Sequence, residues 1–213
     1  MLTNDIKEVI DKLGVKKASV IGHDWGSIVA WSFGIYYPEM VEKLVIMDVP
    51  HPVVGGKYYQ SNIQQFLRAW YIFFFQFPIV PELSMMVNDM KLLETMFRGK
   101  KGGIINRENF TDEDMAVYKY TFGQKGSLTY PINFYRGMLQ RWSLIDFPKT
   151  LVQPDTLIIW GEKDHFVNSE MAQLSAKYCK NATVKLIPNS SHWVQQDSPV
   201  EVNNAMRAFL TAK

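Results

Sequence analysis

Apolar residues at Ile6, Val9, Ile10 and Leu13 recur at helical spacing and stop at Gly14, so the pattern predicts an amphipathic helix closed by a glycine. The period then changes. Ala18-Ser19-Val20-Ile21 is a short, mostly apolar run that ends in the turn Gly22-His23-Asp24-Trp25-Gly26. Beyond it, Ile28 to Tyr37 is apolar nearly all round until Pro38, as in a helix buried on most sides. Leu44-Val45-Ile46-Met47 and Thr156-Leu157-Ile158-Ile159-Trp160 read as parallel strands covered on both faces. Thr183-Val184-Lys185-Leu186-Ile187 alternates, which places it nearer a sheet edge. Ser198 as N-cap and Pro199 in the first turn introduce a last helix, with Val202, Ala205, Met206, Phe209 and Leu210 along one face.

Strands that alternate with helices imply an α/β fold with a parallel sheet and right-handed crossovers. The segment from about Val53 to Leu151 has no strand pattern and no internal repeat. It is rich in Phe, Tyr and Met and is punctuated by Pro78, Pro81, Gly102, Gly103 and Pro131. The expected division is therefore a core from residues 1–52 and 152–213, with residues 53–151 inserted as a helical lid.

A chain of 213 residues with 47% hydrophobic content can bury one sizeable core and a small accessory domain. The net charge is +2, and the basic stretch Arg98-Gly99-Lys100-Lys101-Gly102-Gly103 is short and glycine-rich, which points to a solvated loop and away from nucleic acid. Cys179 is the single cysteine, so neither an internal disulfide framework nor a thiolate metal cluster is available, and a reducing, cytoplasmic setting fits. No signal or transit pattern precedes the first helix. Trp70 to Pro78 is the most membrane-like stretch, but it falls well short of the roughly 20 residues of a spanning helix and reads as the lining of a greasy cavity.

Gly22-His23-Asp24-Trp25-Gly26 has the form Gly-x-nucleophile-x-Gly between a strand and a helix, in which small residues permit a strained turn that presents the central side chain. The competing reading is a helix cap at Asp24. A carboxylate nucleophile makes an ester that needs a separate base to activate water. His192 follows the last strand and suits that role, and Asp164 follows the preceding strand as its orienting acid. The chain order nucleophile, acid, base is that of the α/β-hydrolases. His23, His51 and His165 read as packing residues. No metal-ligand cluster, nucleotide loop or flavin motif is visible, and the chemistry requires no cofactor.

On these motifs the chain resembles the epoxide hydrolase branch of the α/β-hydrolases, nearest the epoxide hydrolase 4 type. The likeness also rests on Tyr36-Tyr37-Pro38-Glu39-Met40, Pro50-His51-Pro52 and Ser191-His192-Trp193. It implies two lid tyrosines over the nucleophile: Tyr71, in Tyr71-Ile72-Phe73-Phe74-Phe75-Gln76, and Tyr135, in Pro131-Ile132-Asn133-Phe134-Tyr135-Arg136. It also implies that the Trp25 N–H forms half of an oxyanion hole. The implied substrates are water and a small apolar epoxide, and the Phe73 to Phe77 run with Met85, Met86, Met90 and Met96 suggests a bulky one. A haloalkane dehalogenase is the alternative, with Trp25 and either Trp70 or Trp142 as halide donors. Ser27 stands where the pattern usually has glycine.

The resemblance further implies strands ahead of this chain's first helix, with a His-Gly-x-Pro turn that the sequence does not contain. A truncated, non-catalytic protein is thus a second alternative. Ala18 to Ile21 would then form an open edge able to associate with another chain. Full-length relatives could be held at a membrane through an N-terminal anchor.

Overall fold

A computed structural model describes residues 2–141 and 151–212. The strands β1 (Ala18–His23), β2 (Val41–Met47), β3 (Asp155–Gly161) and β4 (Ala182–Ile187) form one parallel sheet in the order β1-β2-β3-β4. Val20 pairs with Leu44, Val45 with Leu157 and Ile159 with Lys185. The helices before the insertion are α1 (Leu2–Lys12) and α2 (Trp25–Tyr36). The insertion holds α3 (Pro52–Ser61), α4 (Ile63–Arg68), α5 (Trp70–Phe74), α6 (Val80–Arg98), α7 (Asp112–Gly123) and α8 (Thr129–Arg141). After it come α9 (Glu170–Ala176), α10 (Val194–Asp197) and α11 (Pro199–Thr211).

Successive residues of a strand face opposite sides of the sheet, which explains the unbroken apolar runs of β2 and β3. Leu44, Ile46, Ile158 and Trp160 turn to one face, against Trp31 and Phe33 of α2 and Met171 and Ala172 of α9. Val45, Met47, Leu157 and Ile159 turn to the other, against Val202, Met206 and Phe209 of α11. Each such side chain contributes about 1.5–3 kcal/mol by burial. The alternating strand, β4, lies at one edge. At the other edge β1 has, among the described residues, no strand partner beyond β2, and Ile21 stays 47% exposed.

Among the described residues the insertion contributes no strand and has its own core, built on Phe75, Leu93, Phe97, Ile104, Phe110 and Ile132. The stretch expected to line a greasy cavity divides instead. Phe75 is buried, whereas Trp70, Phe73 and Phe77 are exposed at 61%, 47% and 58%. Their spacing of three and four residues puts these three on the outer side of a short surface helix and its turn, so sidedness here follows position, not polarity. The methionines divide too: Met85 and Met90 are buried in the insertion core and Met86 is exposed. Ser198 precedes α11, but its side chain makes no capping bond. Its N–H bonds Val194 O while its carbonyl accepts from Val202, so one residue closes α10 and opens α11 through its backbone alone. No helix among the described residues is long and apolar enough to cross a membrane.

Candidate active site

One residue, Asp24, separates β1 from α2, and it takes φ 50° and ψ −122°. Non-glycine residues are rare there, at a cost of about 1–3 kcal/mol, and such strain persists only where the surroundings enforce it. The Asp24 side chain makes no capping hydrogen bond to α2, so the helix-cap reading does not hold. The tightness of the turn falls on Gly22, where a Cβ would collide with the Gly26 carbonyl; a Cβ at Gly26 would meet nothing within 4 Å. Ser27 is fully buried beneath the turn. Its hydroxyl lies 2.7 Å from Gly22 O and 2.9 Å from Met47 O and accepts from the Met47 N–H at 3.1 Å, tying the turn to β2.

Asp24, Asp164 and His192 meet at the carboxyl ends of β1, β3 and β4. His192 Nδ1 lies 2.8 Å from Asp164 Oδ2, and His192 Nε2 lies 3.3 Å from Asp24 Oδ1. The other Asp164 oxygen accepts from the Phe166 and Val167 N–H groups at 2.7 and 2.9 Å, which fixes the carboxylate. Gly161 admits the histidine turn, since a Cβ there would strike the carbonyls of Ser190 and Ser191. Burial works against the charge of Asp24, but the hydrogen bond and charge of His192 outweigh it and hold the carboxyl below its ordinary range. Burial likewise pushes His192 down; the carboxylates of Asp164 and Asp24 overcome it and hold the imidazole well above the usual value. Each of the two groups thus favours the charged form of the other.

The insertion brings Tyr71 and Tyr135 over this pair. Their rings meet edge-on with centroids 5.8 Å apart, and Trp25 meets Tyr135 edge-on at 4.9 Å. Burial, with neighbouring negative charge that includes Asp24, raises both phenols far above the ordinary tyrosine range. Other residues of the two tyrosine segments brace them. Gln76 Nε2 donates to Tyr135 O at 3.2 Å. Arg136 donates to Phe75 O and Phe77 O at 3.0 and 2.7 Å, to Asn133 Oδ1 at 3.0 Å, and with both terminal nitrogens to Glu82. Trp70 is 61% exposed on the outer surface of α5, packed only on Phe74 among the described rings, and is not brought to the site; Trp142 lies outside the described residues.

The family model for the alpha/beta hydrolase fold matches residues 1–199. The chain belongs to that family. Epoxide hydrolase 2 of Caenorhabditis elegans is 42% identical over 211 residues, which make up 98% of this chain and 59% of that protein. Epoxide hydrolase 4 of Homo sapiens is 40% identical over 211 residues, 98% of this chain and 58% of that one. The crystal structure of a Bacillus megaterium epoxide hydrolase in complex with an inhibitor superposes with a TM-score of 0.87 at 26% identity, over 99% of this chain and 75% of that one. The chain thus spans less than two thirds of the length of either of these two epoxide hydrolases from Caenorhabditis elegans and Homo sapiens.

Two acidic residues of this alpha/beta hydrolase escape a reading by motif. Asp48 follows β2 as Asp24 follows β1, at φ 57° and fully buried, and accepts from the Gly161 N–H at 2.8 Å. Its second oxygen has no hydrogen-bond partner and lies 3.8 Å from His23 Nε2. Burial, followed by the nearby Asp164 charge, raises its pKa well above the ordinary value. The signal was positional: parallel strands collect functional groups at their carboxyl ends, and β2 delivers one there too. Asp197, buried in α10, had no motif to mark it. Tyr59 of α3 lies within electrostatic reach of Asp24 and Asp164, and its phenol is raised to about 12, mainly by burial.

The remaining histidines pack. His23 Nε2 lies 2.8 Å from His192 O, and burial followed by the His192 charge lowers it to about 4. His51 is stacked on Tyr178 and caps α3 through Nδ1. His165 lies edge-on to Phe166. Among the described residues no group of His, Cys, Asp and Glu is placed to hold a metal ion. A concavity of about 320 Å³ lies beside β1, lined by Leu2, Ile6, Ile21, Trp25 and Phe134, and none of Asp24, Asp164 and His192 lines it.

Proposed function

We propose that this chain carries the catalytic groups of an epoxide hydrolase acting through an aspartyl ester. The observation that carries the reading is the pairing of a strained Asp24, 3.3 Å from His192, with the half-buried side chains of Tyr71 and Tyr135 on the side of the insertion, which serves as a lid. Asp24 attacks an epoxide carbon, the C–O bond breaks, and the ring oxygen leaves as an alkoxide. Tyr71 and Tyr135 donate to that oxygen as its charge develops, and one phenol passes it a proton that solvent water then restores to the phenolate. Their raised pKa values keep them donors at any ordinary pH.

Esterification neutralises Asp24 and so removes one of the two charges that hold the proton on His192. The imidazole can then release that proton to solvent, replacing the one given to the alkoxide, and act as base, oriented by Asp164. Water loses a proton to His192 and attacks the ester carbonyl, beside which the Trp25 N–H stabilises the oxyanion. Collapse of the intermediate releases a diol and restores Asp24. The aromatic residues of the lid favour an apolar epoxide, as the names of the relatives also suggest for the reaction class.

The test is a rapid quench with styrene oxide followed by intact-mass measurement, with 1-chlorobutane assayed in parallel. A mass increase equal to the whole epoxide, mapped to Asp24, is the expected result. Chloride release without epoxide turnover would favour a dehalogenase. No adduct with either would mark a non-catalytic relative.

A further inference from the structure

The base turn is joined to the lid at three places. The Trp193 indole donates to Met96 O at 3.2 Å and its ring centroid lies 4.3 Å from that of Phe97. Gln196 Nε2 donates to the Tyr118 hydroxyl at 3.0 Å. Asp197 makes the third join, and its carboxylate also reaches the turn itself. Its Oδ1 accepts from the Ile105 and Asn106 N–H groups at 3.0 and 2.7 Å, while its Oδ2 accepts at 2.6 Å from Ser191, the residue before His192. The main-chain oxygen of Asp197 accepts from the Asn106 and Asn109 side-chain amides at 2.8 and 2.9 Å. One buried carboxylate thus bonds lid backbone and base-turn backbone at once, through charge-assisted hydrogen bonds.

The geometry points to Asp197 as a positioning residue for the base, locking the His192 turn to the lid so that imidazole and lid tyrosines keep one placement around Asp24. The need is physical. His192 sits in a turn after β4, an edge strand; Asp164 follows the interior strand β3, and Asp24, although it follows the other edge strand, sits in a one-residue turn that Ser27 ties to β2. On the sheet side the turn is held by the Lys163 N–H to Ser190 O bond at 2.9 Å and by its close approach to Gly161. Asp197 supplies the restraint from above. A misplacement of about 1 Å can cost roughly a hundredfold in rate. Resting on the two-step reaction proposed above, the inference is specific about which step depends on Asp197. Ester formation uses Asp24 and the tyrosines; ester hydrolysis uses His192.

The experiment compares Asp197→Asn, Asp197→Ala and the double variant Asn106→Ala/Asn109→Ala, which loosens the lid side while leaving the buried carboxylate in place. Single-turnover quench with styrene oxide reads the two steps separately. In the Asp197 variants ester formation is expected to stay within about threefold of the parent while hydrolysis slows by roughly a hundredfold, so that adduct accumulates; the lid-side double variant is expected to slow hydrolysis about tenfold. Two readouts need no turnover. Amide exchange should show Ser191, Ile105 and Asn106 losing protection together, and nitrogen-detected titration should show the His192 imidazole losing part of its raised pKa as it parts from Asp164. Equal slowing of both steps, or unchanged hydrolysis in a folded Asp197→Asn protein, overturns the proposal. A parent that never forms ester refutes the epoxide reading alone; exchange and titration then decide the positioning role, and an unmoved His192 in the Asp197 variants overturns it. Should those variants not fold, the lid-side double variant decides by the same readouts.

Discussion

Asp24 Oδ1 and His192 Nε2 stand 3.3 Å apart, near enough for an ion pair and too far for a short hydrogen bond. The proton on His192 is held partly by the charge of Asp24, and that charge disappears when an ester forms. Ester formation requires ionised Asp24, whose pKa lies below its ordinary value of 3.8, so this step is expected to stay flat from neutral pH down to about pH 5. Hydrolysis requires neutral His192 and should rise with pH through the imidazole pKa of the ester. At about pH 5 the ester should therefore accumulate, and in His192→Gln it should accumulate at every pH. Quenched intact mass across pH measures both, and diol formation without adduct in His192→Gln would refute the covalent scheme.

Tyr71→Phe and Tyr135→Phe should each slow ester formation by roughly a hundredfold, since one donor of this type supplies about 2.7–4 kcal/mol. The double variant should nearly stop it. Because both phenols are raised above the tyrosine range, ester formation should show no alkaline loss near pH 10, the ordinary tyrosine value. Single-turnover rates measured from neutral to alkaline pH check both statements.

The backbone of Asp24 offers a test independent of substrate. At φ 50° glycine avoids the Cβ penalty that alanine keeps, so Asp24→Gly should be more stable than Asp24→Ala by about 1 kcal/mol, with neither forming an ester. Urea unfolding of the two variants reads the difference. Equal stabilities would show that the turn relaxes once the carboxylate is gone.

Ser27 gives a second stability test. Removing its hydroxyl leaves the buried Met47 N–H without that acceptor and Gly22 O without that donor, so Ser27→Ala should destabilise by about 1–3 kcal/mol. Because the bonds hold the turn under Asp24, ester formation should slow as well. A change below about 0.5 kcal/mol in urea unfolding would mean that water replaces the hydroxyl.

The free edge of β1 carries exposed Ile21, with exposed Leu2 lining the same concavity. Unpaired apolar edges pair with other chains. The 213-residue chain should self-associate above its 24.7 kDa monomer mass, and Ile21→Lys should reduce this. Light scattering decides, and a strictly monomeric parent would show that the edge is protected.

The sequence by itself determined the strands and the main helices of the sheet, because each buried strand must be apolar on both faces and each connecting helix on one. It also singled out Asp24, Asp164 and His192, which the structure brings together, since the Gly22 to Gly26 turn and the loops after β3 and β4 are local features. The tertiary structure decided what depends on distant chain segments. Asp48 and Asp197 look like surface acids in sequence, and only the approach of Gly161 to one, and of Ile105, Asn106 and Ser191 to the other, shows why they are buried. Trp70 and Phe75 look alike within one aromatic run, and only the packing of α5 on the insertion core sends Phe75 inward and Trp70 out. Ser27 carried no readable role until β2 was brought beside the turn. Local periodicity reports which face of an element is apolar; which charged groups meet depends on the way the elements are stacked, and that is a property of the whole chain.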